Sequence, residues 1–214
     1  MASSMEVECY LLSPTTDAPN SPLPVIHYRN VLPEPRDEDT VTEFLTRNRW
    51  EKRFVPYDVL PFQLTLSARE RGKKGTWGHI PIRHFHPNSH ECYGIFSGNS
   101  TLLIGKINEG TGQEISVSTG DVIVLPAGTA HSCLESSEDY RYIGVYPKVS
   151  SVQLLAYTIH TIQGCPRWVN EMGKKPAGTF GSVIRDVGMP EQDPVYGTDG
   201  PLMRLWHRNI LAKL

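Results

Sequence analysis

Between residues 54 and 147 short apolar runs alternate with tight breaks: FVPYDVL, PFQLTL, HIPIRHFH, ECYGIF, TLLIGKI, EISVS, DVIVL and YRYIGVY. Turn signals separate most of them: SGNS (97–100), NEGTGQ (108–113), TG (119–120) and PAGT (126–129). Several strands at near-regular spacing with tight connections predict a barrel or a sandwich. Composition agrees, since 18 glycines and 17 prolines among 214 residues exceed the roughly 12% of average usage. That excess favours a turn-rich β chain over a helical bundle.

The flanks read differently. Residues 11–38 hold many of the prolines and predict an extended arm laid over a core. In DTVTEFLTRNRW, Thr40 and Glu43 have the spacing of a capping box, and Val41, Phe44 and Leu45 share one helical face. A short amphipathic helix over 40–49 is the expectation. Residues 151–172 could be a helix covering one end of the barrel. Residues 187–207 are irregular and proline-punctuated, and Asp193, Tyr196 and Trp206 there are expected to be structural, at the barrel mouth or an interface. No repeat or low-complexity linker divides the chain. The expectation is one domain over 1–214: a core of about 55–147, an N-terminal arm and helix over 1–54, and a C-terminal cap over 148–214.

Charge and cysteine usage narrow the function classes. With 21 basic and 23 acidic residues and a net charge of −2, no basic stripe supplies the attraction that non-specific nucleic-acid binding needs. Cys9, Cys92, Cys133 and Cys165 form no CxxC pair, which suits reduced thiols in a cytosolic protein. The start, MASSMEVECYLL, lacks a basic leader and a long apolar run, and no apolar segment reaches the roughly 18 residues of a membrane helix. A soluble, cytoplasmic protein without membrane or nucleic-acid partners is expected.

Chemistry is concentrated at one place. Of the 8 histidines, His79, His84, His86 and His90 fall within a dozen residues. Side chains alternate along a strand, so His84 and His86 point the same way and can share one ion. After the break PNS the chain can reverse, placing Glu91 on a neighbouring antiparallel strand. An HxH pair alone would more often be a solvated strand face. The glycines around it change that weighing: the stretch reads G-x5-H-x-H-x4-E-x6-G from Gly78 to Gly98. A second reads G-x5-P-x-G-x2-H from Gly120 through Pro126 and Gly128 to His131. Gly98 suits the φ > 0 position of a hairpin turn, and Gly128 a tight return that faces His131 inward.

These two stretches resemble the two signature motifs of the cupin superfamily, a jelly-roll-like, double-stranded β-helix barrel. The resemblance implies an all-β fold with metal ligands His84, His86, Glu91 and His131. The second motif usually ends in Asn four residues after its histidine, where this chain has Glu135; that position is not a ligand in the family. RNRW before the motifs and MPEQDPVYGTDGPLMRLW after them look similar to a small group of single-domain, YjlB-like cupins. By strand parity His90 should point away from the site, Cys92 should face the core, and Tyr93, Ile95 and Cys133 could line the pocket. His79 is expected to be structural or solvated.

Three imidazoles and a carboxylate leave coordination positions open, unlike a structural zinc closed by four ligands. The donor set suits one divalent transition metal, Fe, Mn, Ni, Zn or Co. The implied activity is that of a metal-dependent enzyme on a small oxygen-rich molecule that chelates the ion. It would be a non-redox lyase, isomerase or decarboxylase, or a dioxygenase. Beyond the ligands, Tyr93 and Glu135 are the candidate acid–base groups. The alternative is a metal-containing binding cupin without turnover. Cupins commonly dimerise, and the proline-rich arms could form a homodimer.

Overall fold

The strand VIVL is apolar at every position, which suits a strand covered on both faces. It sits at the heart of the molecule. The computed structural model describes residues 7–52, 75–148 and 169–211. Its strands are β1 (Glu8–Tyr10), β2 (Val25–Tyr28), β3 (Trp50–Glu51), β4 (Thr76–Trp77), β5 (Glu91–Ser97), β6 (Asn99–Ile104), β7 (Gln113–Ser118), β8 (Val122–Leu125), β9 (His131–Ser136) and β10 (Arg141–Pro147). Helices α1 (Glu38–Thr46), α2 (Gly181–Arg185) and α3 (Pro201–Leu211) accompany them. The class is all-β.

Seven strands form one sheet in the order β1-β2-β8-β5-β10-β3, with β4 also paired to β10, and β7-β6-β9 form a second. The named pairs are antiparallel. Tyr93, Ile95, Ile123 and Leu125 of the larger sheet pack against Leu102, Ile104, Ile115, Val117 and Cys133 of the smaller. On the outer face of the larger sheet, Ile26, Tyr28, Cys92, Val122, Val124, Ile143 and Val145 meet Val41 and Leu45 of α1 and Leu202 and Trp206 of α3. Each such apolar side chain contributes about 1.5–3 kcal/mol when buried. In β7 only Ile115 and Val117 are buried, between exposed neighbours, so the smaller sheet keeps one face in water.

The barrel expectation needs correcting. Among the described residues the two sheets meet face to face and are not closed by hydrogen bonds into one barrel. Gly98 does take the positive-φ position, at φ 70°. The strands it joins, β5 and β6, lie in different sheets, so the turn carries the chain across the sandwich instead of closing a hairpin.

The first helix begins before its apparent box. Asp37 caps it, accepting from the Thr40 amide at 2.8 Å, and Glu38 and Asp39 in the first turn favour the positive helix end. The helix therefore covers 38–46, not 40–49. Val41 and Leu45 are buried, while Phe44 is half-buried beneath the Arg47 guanidinium, 4.1 Å from its ring centre. A Cβ on Gly94 would stand 2.6 Å from Leu45 Cδ1, so glycine lets α1 lie close on β5.

Other expectations shift as well. HIPIRHFH forms no strand, only isolated bridges pairing His84 with His131 and Phe85 with Glu171. The segment 187–207 lies against the outer face of the larger sheet, where Asp193, Val195, Leu202 and Trp206 are buried. The runs FVPYDVL and PFQLTL, most of 151–172, and Cys165 lie outside the described residues. Cys9, Cys92 and Cys133 are free thiols. Among the described residues no helix is long and apolar enough to cross a membrane.

Candidate metal centre

The backbone of the two motifs is joined directly. His84 and His131 exchange both amide–carbonyl hydrogen bonds, at 3.1 and 2.8 Å. Two residues on, the Gly128 amide donates to the His86 carbonyl at 2.8 Å. Gly128, at φ 83°, makes the turn out of β8 that allows this approach. The intervening Phe85 points the other way and packs edge-on against Phe180, 5.2 Å between ring centres. Alternation about Phe85 thus aims His84 and His86 at one point although they form no regular strand.

His84, His86 and His131 are 7%, 2% and 3% exposed. Each offers a ligand atom within 4.8 Å of the others. Glu91 is the first residue of β5 and opposes Leu125 of β8. Its Oε2 lies 3.2 Å from Nε2 of both His86 and His131. The carboxylate thus comes from the larger sheet, across the sandwich from His131. It is not on a strand adjoining the His84 segment, because β5 is flanked by β8 and β10.

The hydrogen bonds behind the rings decide what the front can do. Nδ1 of His84 donates to the Ile82 carbonyl at 2.8 Å, that of His131 to Thr129 at 3.0 Å, and that of His86 to Val169 at 3.1 Å. A carbonyl only accepts, so each Nδ1 carries a proton, and in its neutral form each ring turns an Nε2 lone pair inward. Burial, then the neighbouring His131 and His86, push the His84 pKa well below its usual value. Burial also lowers the pKa of His86, against the pull of Glu91. Burial would raise Glu91, yet His86 and His131 hold it well below the usual carboxylate range.

These tendencies conflict unless positive charge sits among them. A carboxylate oxygen facing imidazole lone pairs at 3.2 Å is acceptor against acceptor, costly in a buried site. Nε2 of His131 is buried with no hydrogen-bond partner. A proton on one ring relieves part of this, and a divalent cation relieves all of it. The donor set fits such an ion: three imidazole nitrogens held in one tautomer by backbone carbonyls and a hard carboxylate.

The remaining residues divide clearly. Tyr93 donates to Glu91 Oε2 at 2.9 Å and Tyr146 to Oε1 at 2.6 Å. Tyr93 is therefore at the cluster. Glu135 is not: it is exposed on β9 opposite Thr101, whose hydroxyl lies 3.4 Å from its carboxylate. His90 is buried beside Trp206, 4.7 Å between rings, and its Nδ1 accepts the Ala127 amide at 3.0 Å. It therefore holds the turn that presents His131, and burial pushes its pKa down to about 4. Cys92 faces the outer core. His79 is half-buried, with Nδ1 3.0 Å from the Ser136 hydroxyl. Ile95 is plain core between the sheets.

A small cavity lies beside His84 and His131, lined by Ile80, Tyr93, Leu102, Cys133 and Tyr142, with room for about one water molecule. Sequence reasoning passed over Tyr146 and Tyr142. The signal was the alternation of YRYIGVY, where Tyr142 and Tyr146 share the face opposite Ile143 and Val145.

Two antiparallel sheets face each other around a buried histidine cluster carried by a pair of glycine-framed motifs, the arrangement that the cupin resemblance implies. The chain is similar to the uncharacterized protein YjlB of Bacillus subtilis (strain 168), 26% identical over 202 residues that cover 94% of this chain and 97% of that one. No family model matches. Solved structures with partial likeness include Streptomyces albus HEPD, with 2-hydroxyethylphosphonate and Fe(II) bound, at 8% identity and TM-score 0.30 over 41% of this chain and 20% of that one. YcfD, a ribosomal oxygenase from Escherichia coli, aligns at 12% identity and TM-score 0.30 over 44% of this chain and 28% of its own. A duf861 family protein from Thermotoga maritima aligns at 17% identity and TM-score 0.24 over 44% of this chain and 93% of its own. The chain spans only 19% of the length of procruciferin, an 11S globulin from Brassica napus to which it also has partial likeness.

Proposed function

We propose that this protein is a metal-dependent enzyme acting on a small oxygen-rich organic molecule, with His84, His86, Glu91 and His131 as the ligands of one divalent transition metal. One observation carries the reading. Imidazoles fixed by backbone carbonyls turn Nε2 toward a buried carboxylate oxygen 3.2 Å away, an arrangement that only a cation completes. When bound, the metal supplies Lewis-acid polarisation of a chelated carbonyl, and a redox-active ion adds dioxygen chemistry. The chain's own residues orient and shield. Ile80, Leu102 and Tyr142 keep the cavity beside the cluster apolar, which strengthens any electrostatic contact made there.

A second reading, a binding protein without turnover, is favoured by specific features. The hydroxyls of Tyr93 and Tyr146 are both committed to Glu91, which leaves neither free as an acid–base group. Glu135, the other acid–base candidate, stands away from the cluster.

Elemental analysis of protein purified without added metal, paired with oxygen-consumption and anaerobic turnover screens on chelating carbonyl and hydroxy-acid substrates, separates these readings. One metal per chain with turnover is the expected result. Metal at one per chain with tight ligand binding and no turnover assigns the binding role, and a metal-free chain that takes up none when supplied overturns both.

A further inference from the structure

Glu91 is held from two sides. Tyr146, on β10, donates to Oε1 at 2.6 Å, while Tyr93, two residues along β5, donates to Oε2 at 2.9 Å. Only Oε2 faces the ring nitrogens of His86 and His131, both at 3.2 Å. β10 pairs with β5 through Val145 opposite Cys92 and Gly144 opposite Tyr93, so the tyrosine stands on a fixed ladder. Tyr146 is 3% exposed and Glu91 likewise 3%, so water does not compete for this bond.

A carboxylate has two ways of meeting a metal, through one oxygen or through both. With three imidazoles, the first uses four positions of a six-coordinate ion and leaves two; the second uses five and leaves one. A guest that binds through two adjacent oxygens needs two. We infer that Tyr146 is a positioning residue: by holding Oε1, it restricts Glu91 to a single metal-facing oxygen and so leaves two coordination positions open to a two-oxygen chelating guest. This rests on the metal reading above and deepens it, because it names the residue that would keep two positions open for such a chelator. Tyr93 plays a different part, since its bond falls on the oxygen that already faces the cluster.

The test uses the full chain loaded with Co(II), whose visible spectrum reports coordination, and two probes: acetohydroxamate, which binds through two oxygens, and azide, which binds through one atom. Wild type is expected to take one cobalt per chain and to shift its spectrum with either probe. Tyr146→Phe is expected to keep its cobalt yet bind acetohydroxamate about tenfold more weakly or worse, the effect of a lost hydrogen bond to a charged group. Its azide affinity is expected to stay within about twofold, and Tyr93→Phe to keep acetohydroxamate affinity within about threefold, both well below one hydrogen bond's worth. Wild-type affinity and spectrum in Tyr146→Phe would overturn the inference, as would an equal loss in Tyr93→Phe. Should Tyr146→Phe not fold, isotope-edited infrared spectra of the wild-type carboxylates on cobalt addition decide. A one-oxygen stretching pattern supports the inference, and a two-oxygen pattern defeats it. A wild-type chain that takes no cobalt defeats the metal reading itself, and this inference with it.

Discussion

Two of the carboxylates buried among the described residues, Asp193 and Glu91, have opposite surroundings. Asp193 is fully buried and accepts four hydrogen bonds: from the Tyr28 hydroxyl at 2.6 Å and from the amides of Val195, Tyr196 and Leu202 at 2.8, 3.0 and 3.0 Å. Protein donors satisfy both of its oxygens. Glu91 receives two tyrosine hydroxyls and then meets two imidazole nitrogens whose protons are on the far side. The first carboxylate is complete, tying β2 to the start of α3; the second is complete only when something positive joins it. Burial alone does not mark a functional acid. The chemistry of what faces it does.

That contrast can be broken at either end. The largest effect is expected at the cluster: His131→Ala or His84→Ala should lose metal uptake by well over the ~10–100-fold that removing an outer hydrogen-bond partner costs. Metal content after dialysis measures it, and near-stoichiometric metal in either variant would dissolve the contrast. Next comes Asp193→Ala, which strips the acceptor from four buried donors and should cost about 3–5 kcal/mol in urea unfolding. Metal stoichiometry of the folded fraction should not change. If Asp193→Ala instead abolishes metal binding while stability holds, the two carboxylates do not differ in role.

The pH dependence sharpens the same point. His90 is buried with a pKa pushed down to about 4, against about 6.5 in an unfolded chain. A folded pKa below the unfolded one means stability that is fully present above pH 6.5 and lost as pH falls toward 4, by about 3 kcal/mol in all. In metal-free protein, His84 and His86, also lowered, act in the same direction. Urea titrations from pH 7 to 4.5 should show the loss in wild type and a shallower one in His90→Gln. An equal slope in both would remove His90 from the account. The smallest effect belongs to Glu135→Gln on exposed β9. Metal content should be unchanged and stability within about 0.5 kcal/mol.

How much of this was legible in the sequence follows from range. The alternation in EISVS and the unbroken apolar run of VIVL are local signals, and β7 and β8 carry them as one-sided and two-sided burial. Motif spacing pointed to His84, His86 and His131, which stand together, because turn glycines act within a few residues. Three things were not readable. Asp37 caps α1 ahead of Thr40, a choice between two good candidates that only backbone geometry makes. Glu91 stands across from His131, because whether the Gly98 turn pairs its strands or parts them depends on what lies on either side. Asp193 sits in a stretch with no periodicity, and its donors come from as far as Tyr28 and Leu202.

The reciprocal amide bonds between His84 and His131 have a kinetic consequence. The His84 and His131 rings are spaced by peptide ladder, with no help from an ion, so their relative placement does not wait on metal. Loading should then be paced by how fast the incoming cation sheds its hydration water, and chelators should strip the site while leaving the polypeptide folded.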